Sequence, residues 1–323
     1  MNNFWLKLKK SKRGHPILTL APMADVTDGA FREIIAKYGK PDVFWTEFVS
    51  ADGLVLAPKK GQIRLLEVLK FSKKEKPIVA QLFGSNPANM EKAAALVEKL
   101  GFDGLDINMG CPDRSIEKQN SGAAMIKNPT LAKEIIAAAM RGAQKIPISV
   151  KIRLGYNQDI LEEWLMQILA MNPAMVTVHA RTRKEMSKVP ARWDRIKDAV
   201  KIRDALKSPT LIFGNGDVIS IKDAKQKAKQ TGCDGVMIGR GIFGKPWFFS
   251  GKNPDLKKRL KILIEHIRLF DKLIQHKNFA VMRKHFKAYV EGFDGAKELR
   301  RELMETNSAG EAIGVLANFI KTL

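Results

Sequence analysis

Eight short β-rich runs, each followed by a stretch of helical periodicity, constrain this chain more than any other feature. The runs are Ile17–Leu20, Val43–Thr46, Ile78–Leu82, Gly104–Ile107, Ile148–Ile152, Met175–His179, Thr210–Phe213 and Gly235–Ile238. Between them lie segments such as Met90–Leu100 and Leu131–Met140, whose apolar residues recur at helical spacing. Asn86-Pro87 and Asn128-Pro129 mark helix starts, a polar cap before a first-turn proline. Eight strand-helix repeats predict an α/β chain whose parallel strands close into a (β/α)₈ TIM barrel. A doubly wound open sheet is the alternative, because a repeat count does not prove closure.

The alternation stops near Pro254. From Leu256 onward the sequence offers helical stretches alone, among them Leu260–Ile267, Val281–Phe286 and Ala309–Leu316, with Gly292 and Gly295 between them. About four helices are expected, giving a barrel over residues 1–252 and an all-helical domain over 253–323. Arg268, Lys272, His276, Lys277, Arg283, Lys284, His285 and Lys287 crowd this tail and form a candidate phosphate-binding face. The plainer reading is the solvated side of amphipathic helices.

The 323 residues carry 56 Lys and Arg against 34 Asp and Glu, a formal charge of +22 that points to a polyanionic partner, nucleic acid before a membrane surface. With 45% hydrophobic residues the chain can bury a sizeable core, yet no apolar run approaches the roughly 20 residues of a membrane span. Two cysteines, and an opening Asn2–Lys10 segment with no long apolar stretch, suggest a reducing cytoplasm. A monomer without a membrane or metal requirement is expected.

A barrel of this kind builds its site at the C-terminal ends of its strands. Polar residues gather there: Gln81 closes the third strand, Asn108 and Cys111 follow the fourth, Lys151 and Arg153 close the fifth, and His179 and Arg181 close the sixth. Cys111 sits in Asn108-Met109-Gly110-Cys111-Pro112, on a turn from which a thiol can reach a ligand; Cys233 is the only other cysteine. A lysine inside Val150-Lys151-Ile152-Arg153 is costly to bury without an anionic or hydrogen-bonding partner. Glycine-rich turns follow the last two strands, at Gly214-Asn215-Gly216-Asp217 and Gly239-Arg240-Gly241. That is where such barrels bind phosphate, with glycine allowing close backbone approach and Arg240 adding a charged donor.

These motifs, with Ala21-Pro22-Met23-Ala24, Gln81-Leu82-Phe83-Gly84, Ser121-Gly122-Ala123-Ala124 and His179-Ala180-Arg181-Thr182-Arg183, resemble the tRNA-dihydrouridine synthase family across nearly the whole barrel. The resemblance implies FMN at the barrel mouth, reduced by NADPH or NADH, and tRNA as substrate. It places Pro22, Met23, Gln81, Lys151 and His179 around the isoalloxazine, and Asn215, Gly216, Asp217, Gly239 and Arg240 at the ribityl phosphate. Hydride would pass from flavin N5 to uracil C6, with Cys111 as the proton donor to C5. Asn108, Arg153 and Arg181 would engage the substrate, with Lys151 also near the uracil edge. The uridine would leave the tRNA stack to react. The chain departs from the family pattern at Ser187 and Val189, where an aromatic and a glycine are common, while Trp193 is kept; this leaves the target uridine open. Two rivals stand beside this reading. A flavin barrel acting on a free pyrimidine leaves the +22 charge unexplained. An RNA-binding barrel without chemistry has no use for the full set of strand-end groups.

Overall fold

A computed structural model describes residues 3–323. Its strands are β1 (Ile17–Leu20), β2 (Phe44–Ser50), β3 (Ile78–Phe83), β4 (Gly104–Asn108), β5 (Ile148–Arg153), β6 (Met175–His179), β7 (Leu211–Asn215) and β8 (Gly235–Ile238). All pair in parallel in the order β1-β8-β7-β6-β5-β4-β3-β2. The remaining seam closes through a parallel bridge between Thr19 and Val43, where the Leu20 amide donates to the Val43 carbonyl at 3.2 Å. Closure decides for the barrel over the doubly wound sheet.

Seven strands fall within a residue or two of their expected bounds, while β2 runs four residues further, to Ser50. Its register shifts between Trp45 and Phe48, and Glu47 inside the shift is buried. A charged residue in the middle of a strand hid that continuation. The caps read from sequence are present: Asn86 and Asn128 accept hydrogen bonds from the Asn89 and Leu131 amides.

The barrel's lower end is plugged from outside the repeat. The helix Phe4–Ser11 sends fully buried Trp5 against Trp45 and Phe213, with ring centroids 5.6 Å away in both cases. Val79, Met175 and Met237 complete this inner layer. The basic side of the same helix is tied down by Lys9 to Asp234 at 2.6 Å. Among the described residues, no helix is long and apolar enough to cross a membrane.

Beyond β8 the tail forms four helices, Leu256–Leu273, Met282–Tyr289, Ala296–Glu305 and Ala309–Lys321. They share a core of Leu260, Leu263, Phe286 and Leu316 that continues into Ala30 and Ile34 of the barrel helix Gly29–Tyr38. At the junction Phe31 stacks on His266 (5.1 Å) and meets His285 (4.8 Å). This corrects the expected phosphate face: His285 is buried in the joint. Lys277 is also withdrawn, bonding both Glu47 oxygens at 2.7 and 2.9 Å and Asp25 at 3.1 Å. Lys284, itself exposed, lies 3.5 Å from Asp25, and Arg268, Lys272 and Lys287 are the other exposed cations of the group.

Both nitrogens of His266 and Nε2 of His285 are buried without a hydrogen-bond partner. Burial, with Lys284 and Lys277 nearby, pushes His285 down to about 3, and burial beside His285 pushes His266 well below its ordinary range. The unfolded chain binds these protons below about 6.5, whereas the folded chain excludes them, so stability is full above that pH and is lost as pH falls. His285 alone accounts for about 2 kcal/mol of destabilisation at pH 5. The thermal midpoint should fall between pH 7 and 5, and His285→Phe should flatten that fall; an unchanged pH profile in the variant contradicts this account.

Candidate active site

A hydrogen-bond relay runs beneath the mouth from β5 across to β4 and β3. Asp106, fully buried in β4, accepts from Ser149 Oγ at 2.6 Å and from Gln81 Nε2 at 2.6 Å. Gln81 Oε1 in turn accepts from Asn108 Nδ2 at 2.9 Å. The far end of Asn108, its Oδ1, accepts from the Gly110 and Cys111 amides at 3.1 and 2.9 Å. The Cys111 turn is therefore anchored to the barrel interior. Arg153 Nε grips the Gly110 carbonyl at 2.7 Å, and the Ala123 amide grips the Cys111 carbonyl at 2.9 Å. Gly122, at φ +61°, passes so close that an added Cβ would lie 2.8 Å from that carbonyl. Its place in Ser121-Gly122-Ala123 is set by the cysteine turn.

A cavity of about 610 Å³ opens at the C-terminal ends of the strands. Pro22, Met23, Lys151, Arg153, His179, Asn215, Gly216, Asp217, Gly239 and Arg240 all line it, so the structure brings ten of the residues singled out in the sequence to one place. Met237, Val218 and Ile219 add apolar wall that the sequence did not flag. Cys111 stands half-buried beside this lining, close enough for Arg153 and Lys151 to act on its charge.

Gln81, Asn108, Arg181 and Asp217 have partners other than those expected. Gln81 is fully buried with both ends of its amide engaged in the relay, and Asn108 spends its side chain on the cysteine turn. Arg181 is 2% exposed, donating to the Val189 carbonyl and pairing with Asp217. Asp217 also accepts from Arg240 at 3.0 Å and from the Ala191 amide at 2.9 Å. A carboxylate so placed organises two arginines at the cavity edge. Burial pushes Asp217 upward, but the Ala191 amide, Arg181 and Arg240 outweigh it and hold the group below its usual range. Gly216 adopts φ +128° with Ala191 crowding its α-carbon, and a Cβ at Gly241 would strike the Val218 carbonyl at 2.2 Å. Chain geometry already demands glycine in both turns.

Electrostatically the cavity is positive. Burial, then Arg153, lowers Lys151 to about 8, and Lys151 Nζ reaches Asn215 Oδ1 at 3.2 Å. His179 is pushed well below its ordinary range by burial and by four surrounding cations, Arg153, Lys151, Arg181 and Arg240. Its Nδ1 is buried with no partner, leaving a hydrogen-bonding position open to a ligand. Burial raises the Cys111 thiol, so it is held protonated. These groups suit an anionic ligand with hydrogen-bonding groups, beside which a neutral thiol can give up a proton. No group of three or more His, Cys, Asp or Glu is placed to hold a metal among the described residues.

The model of the dihydrouridine synthase (Dus) family matches residues 19–322. The chain belongs to the dihydrouridine synthase family. It is 40% identical over 322 residues to the probable tRNA-dihydrouridine synthase 2 of Bacillus subtilis (strain 168), covering 98% of this chain and 96% of that one. It is likewise 40% identical over 323 residues to a probable tRNA-dihydrouridine synthase of Staphylococcus aureus (strain MRSA252), covering 98% and 95%. Among solved structures, morphinone reductase in complex with tetrahydroNAD superposes with a TM-score of 0.50 at 11% identity, covering 74% of this chain and 88% of that one. A 2-naphthoyl-CoA reductase complex superposes at 0.55 and 10% identity, covering 72% and 49%. At such identities these two likenesses establish the barrel fold alone.

In this dihydrouridine synthase family member the relay makes a specific demand on Cys111. In a Cys233→Ala background, the alkylation rate of Cys111 should rise with pH around a midpoint above that of an unperturbed thiol, because burial disfavours the thiolate. Asn108→Leu, which frees the Gly110 and Cys111 amides, should quicken that alkylation and lower the thermal midpoint. Each orphaned buried donor costs about 1–3 kcal/mol. A midpoint below that of a free thiol overturns the assignment of a buried, neutral group.

Proposed function

We propose that the protein is a tRNA-dihydrouridine synthase that reduces the C5–C6 bond of particular uridines in tRNA, using FMN recharged by NADPH or NADH. The observation that carries the reading is the joining of a burial-neutralised thiol, Cys111, to a positive cavity in a chain that matches the family along almost its full length. The cavity residues fit FMN. His179 offers an unpartnered ring nitrogen, Lys151 and Asn215 present polar groups to one side, and Pro22 and Met23 present an apolar wall. Arg240, 60% exposed, is available to the terminal phosphate beside the Gly216 and Gly239 turns.

Bound FMN supplies the hydride that reaches uracil C6. Cys111 holds the proton that C5 takes up, and the resulting thiolate is reprotonated from solvent. Lys151 and Arg153 stabilise negative charge as it develops on the uracil ring and on the departing thiolate. Their placement beside Cys111 favours transfer only as the proton moves, since burial keeps the resting thiol protonated. Asn108 acts as a positioning residue for the cysteine turn, and Arg181 for Asp217. Residues 1–252 serve as the catalytic barrel and residues 253–323 as a tRNA-binding domain that uses Arg268, Lys272 and Lys287.

Purified protein should carry flavin absorbance, and Arg240→Ala should release flavin more readily, losing a charged contact worth about 1.5–3 kcal/mol. Colourless protein that takes up no added FMN overturns the cofactor assignment. Cys111→Ala should keep flavin and bind tRNA while losing dihydrouridine formation by roughly 10²–10⁴-fold, the usual range for a positioned acid. Cys233, buried with its thiol on the Gly235 carbonyl, should tolerate alanine. Equal activity in the two variants refutes the assignment.

A further inference from the structure

A second cavity, of about 570 Å³, lies on the same face of the barrel as the mouth and is used by none of the chemistry above. Its lining comes from loops that follow β3, β4 and β5, including Ser85, Arg114, Lys118, Lys127 and Tyr156. Arg114, Lys118 and Lys127 are exposed. The single carboxylate in the lining, Glu117, is spent on Arg183, which it meets through both oxygens, one at 2.8 Å. The groove is thus left with a net positive charge.

Tyr156 gathers the cations around it. Lys127 Nζ sits 3.9 Å from the ring centroid and the Arg183 guanidinium 5.2 Å from it. Arg183 is paired with Glu117, whereas Lys127 makes no ion pair among the described residues and has the negative face of the ring as a partial counter-charge. A polyanion would supply a fuller one. The groove begins at Arg114, three residues past Cys111, and the Ala123 amide beside its lining residue Ala124 bonds the Cys111 carbonyl, so the groove adjoins the cysteine turn. The tail meets the barrel elsewhere, at Asp25 after β1 and Glu47 in β2. The groove, on the loops after β3 to β5, and the tail's contact, at β1 and β2, therefore lie at different parts of the barrel rim.

We infer that this groove binds the phosphodiester backbone of the RNA strand flanking the reacting uridine, with Lys118, Lys127 and Arg114 on phosphates and Tyr156 positioning Lys127. The inference rests on the proposed tRNA activity and adds a second anchor, so that the strand is held on both sides of the base being turned toward Cys111. A polymer suits the site better than a dinucleotide, because the cations lie along an open rim and are not enclosed around one phosphate.

The test uses the flavin-loaded, full-length protein and unmodified tRNA. Lys118→Ala with Lys127→Ala should weaken tRNA binding at least several-fold and make its dependence on salt shallower by about 2, roughly 1 for each lost phosphate contact. Lys225→Ala with Lys229→Ala, which removes equal charge beside a cavity lined by Pro16 and Cys233 at the other end of the barrel, should change neither quantity. Tyr156→Leu keeps the charge and should still weaken binding, and Tyr156→Phe should restore it. Flavin content and thermal midpoint report whether the variants fold. Groove variants that bind tRNA as tightly as wild type across the salt titration overturn the inference. So does a variant with intact tRNA binding but slowed flavin reduction by NADPH, which would give the groove to the reductant. Wild-type protein that forms no dihydrouridine sinks the proposed function itself, a failure visible before any groove variant is made.

Discussion

The closed ring of parallel strands is the constraint on which everything else rests. A parallel sheet leaves no strand free to face water once its seam is joined, and here the Thr19–Val43 bridge joins it. Every strand then begins at the end plugged by Trp5 and finishes at the end that holds the cavity. Polar residues that would be ruinous inside the barrel become usable at its upper rim. Asp106 is the exception that shows the rule. One layer further in, it is tolerated because Ser149 and Gln81 both donate to it, and the same bonds carry order outward to the cysteine turn.

The eight strands were legible because buried parallel strands read as largely apolar runs between helical stretches, as in Leu211–Phe213 or Val236–Ile238. Lys151, Arg153 and His179 were legible for a related reason, as polar groups at strand ends that stand out against those runs; the glycine-rich turns carried Asn215 to Asp217 and Gly239-Arg240, and Pro22 and Met23 rested on the family resemblance. Pairing was not legible. Nothing local in the sequence shows that Gln81 and Asn108 bond to each other across 27 positions, or that Asp217 serves two arginines. Asp106 was detectable, since an acid within Gly104–Asn108 must find donors once buried. Trp5 was not, because its helix sits outside the repeat and its burial depends on the barrel being closed first.

Charge was the least reliable guide at residue level. The excess of 22 positive charges is a property of the whole chain, yet Lys277 and His285, which looked like members of a basic face, hold the tail against the barrel. Glu47 had no apparent partner in sequence because its partner, Lys277, lies 230 positions away. Exposed cations occur on the tail, on the rim near Tyr156 and at the opposite end of the barrel at Lys225 and Lys229, a spread that no composition count reveals.

Asp217 gives the anion-binding turn an unusual starting state. With one oxygen on Arg181 and the other on Arg240, it acts as an internal counter-ion to both. The proposed binding of a phosphate at Arg240 would then be an exchange of one anion for another, not a capture by a bare cation. The net gain is a difference between two similar interactions, so the turn can recognise a phosphate without clinging to every anion in solution. Arg181, sealed below, keeps Asp217 ionised and in place when Arg240 lets go.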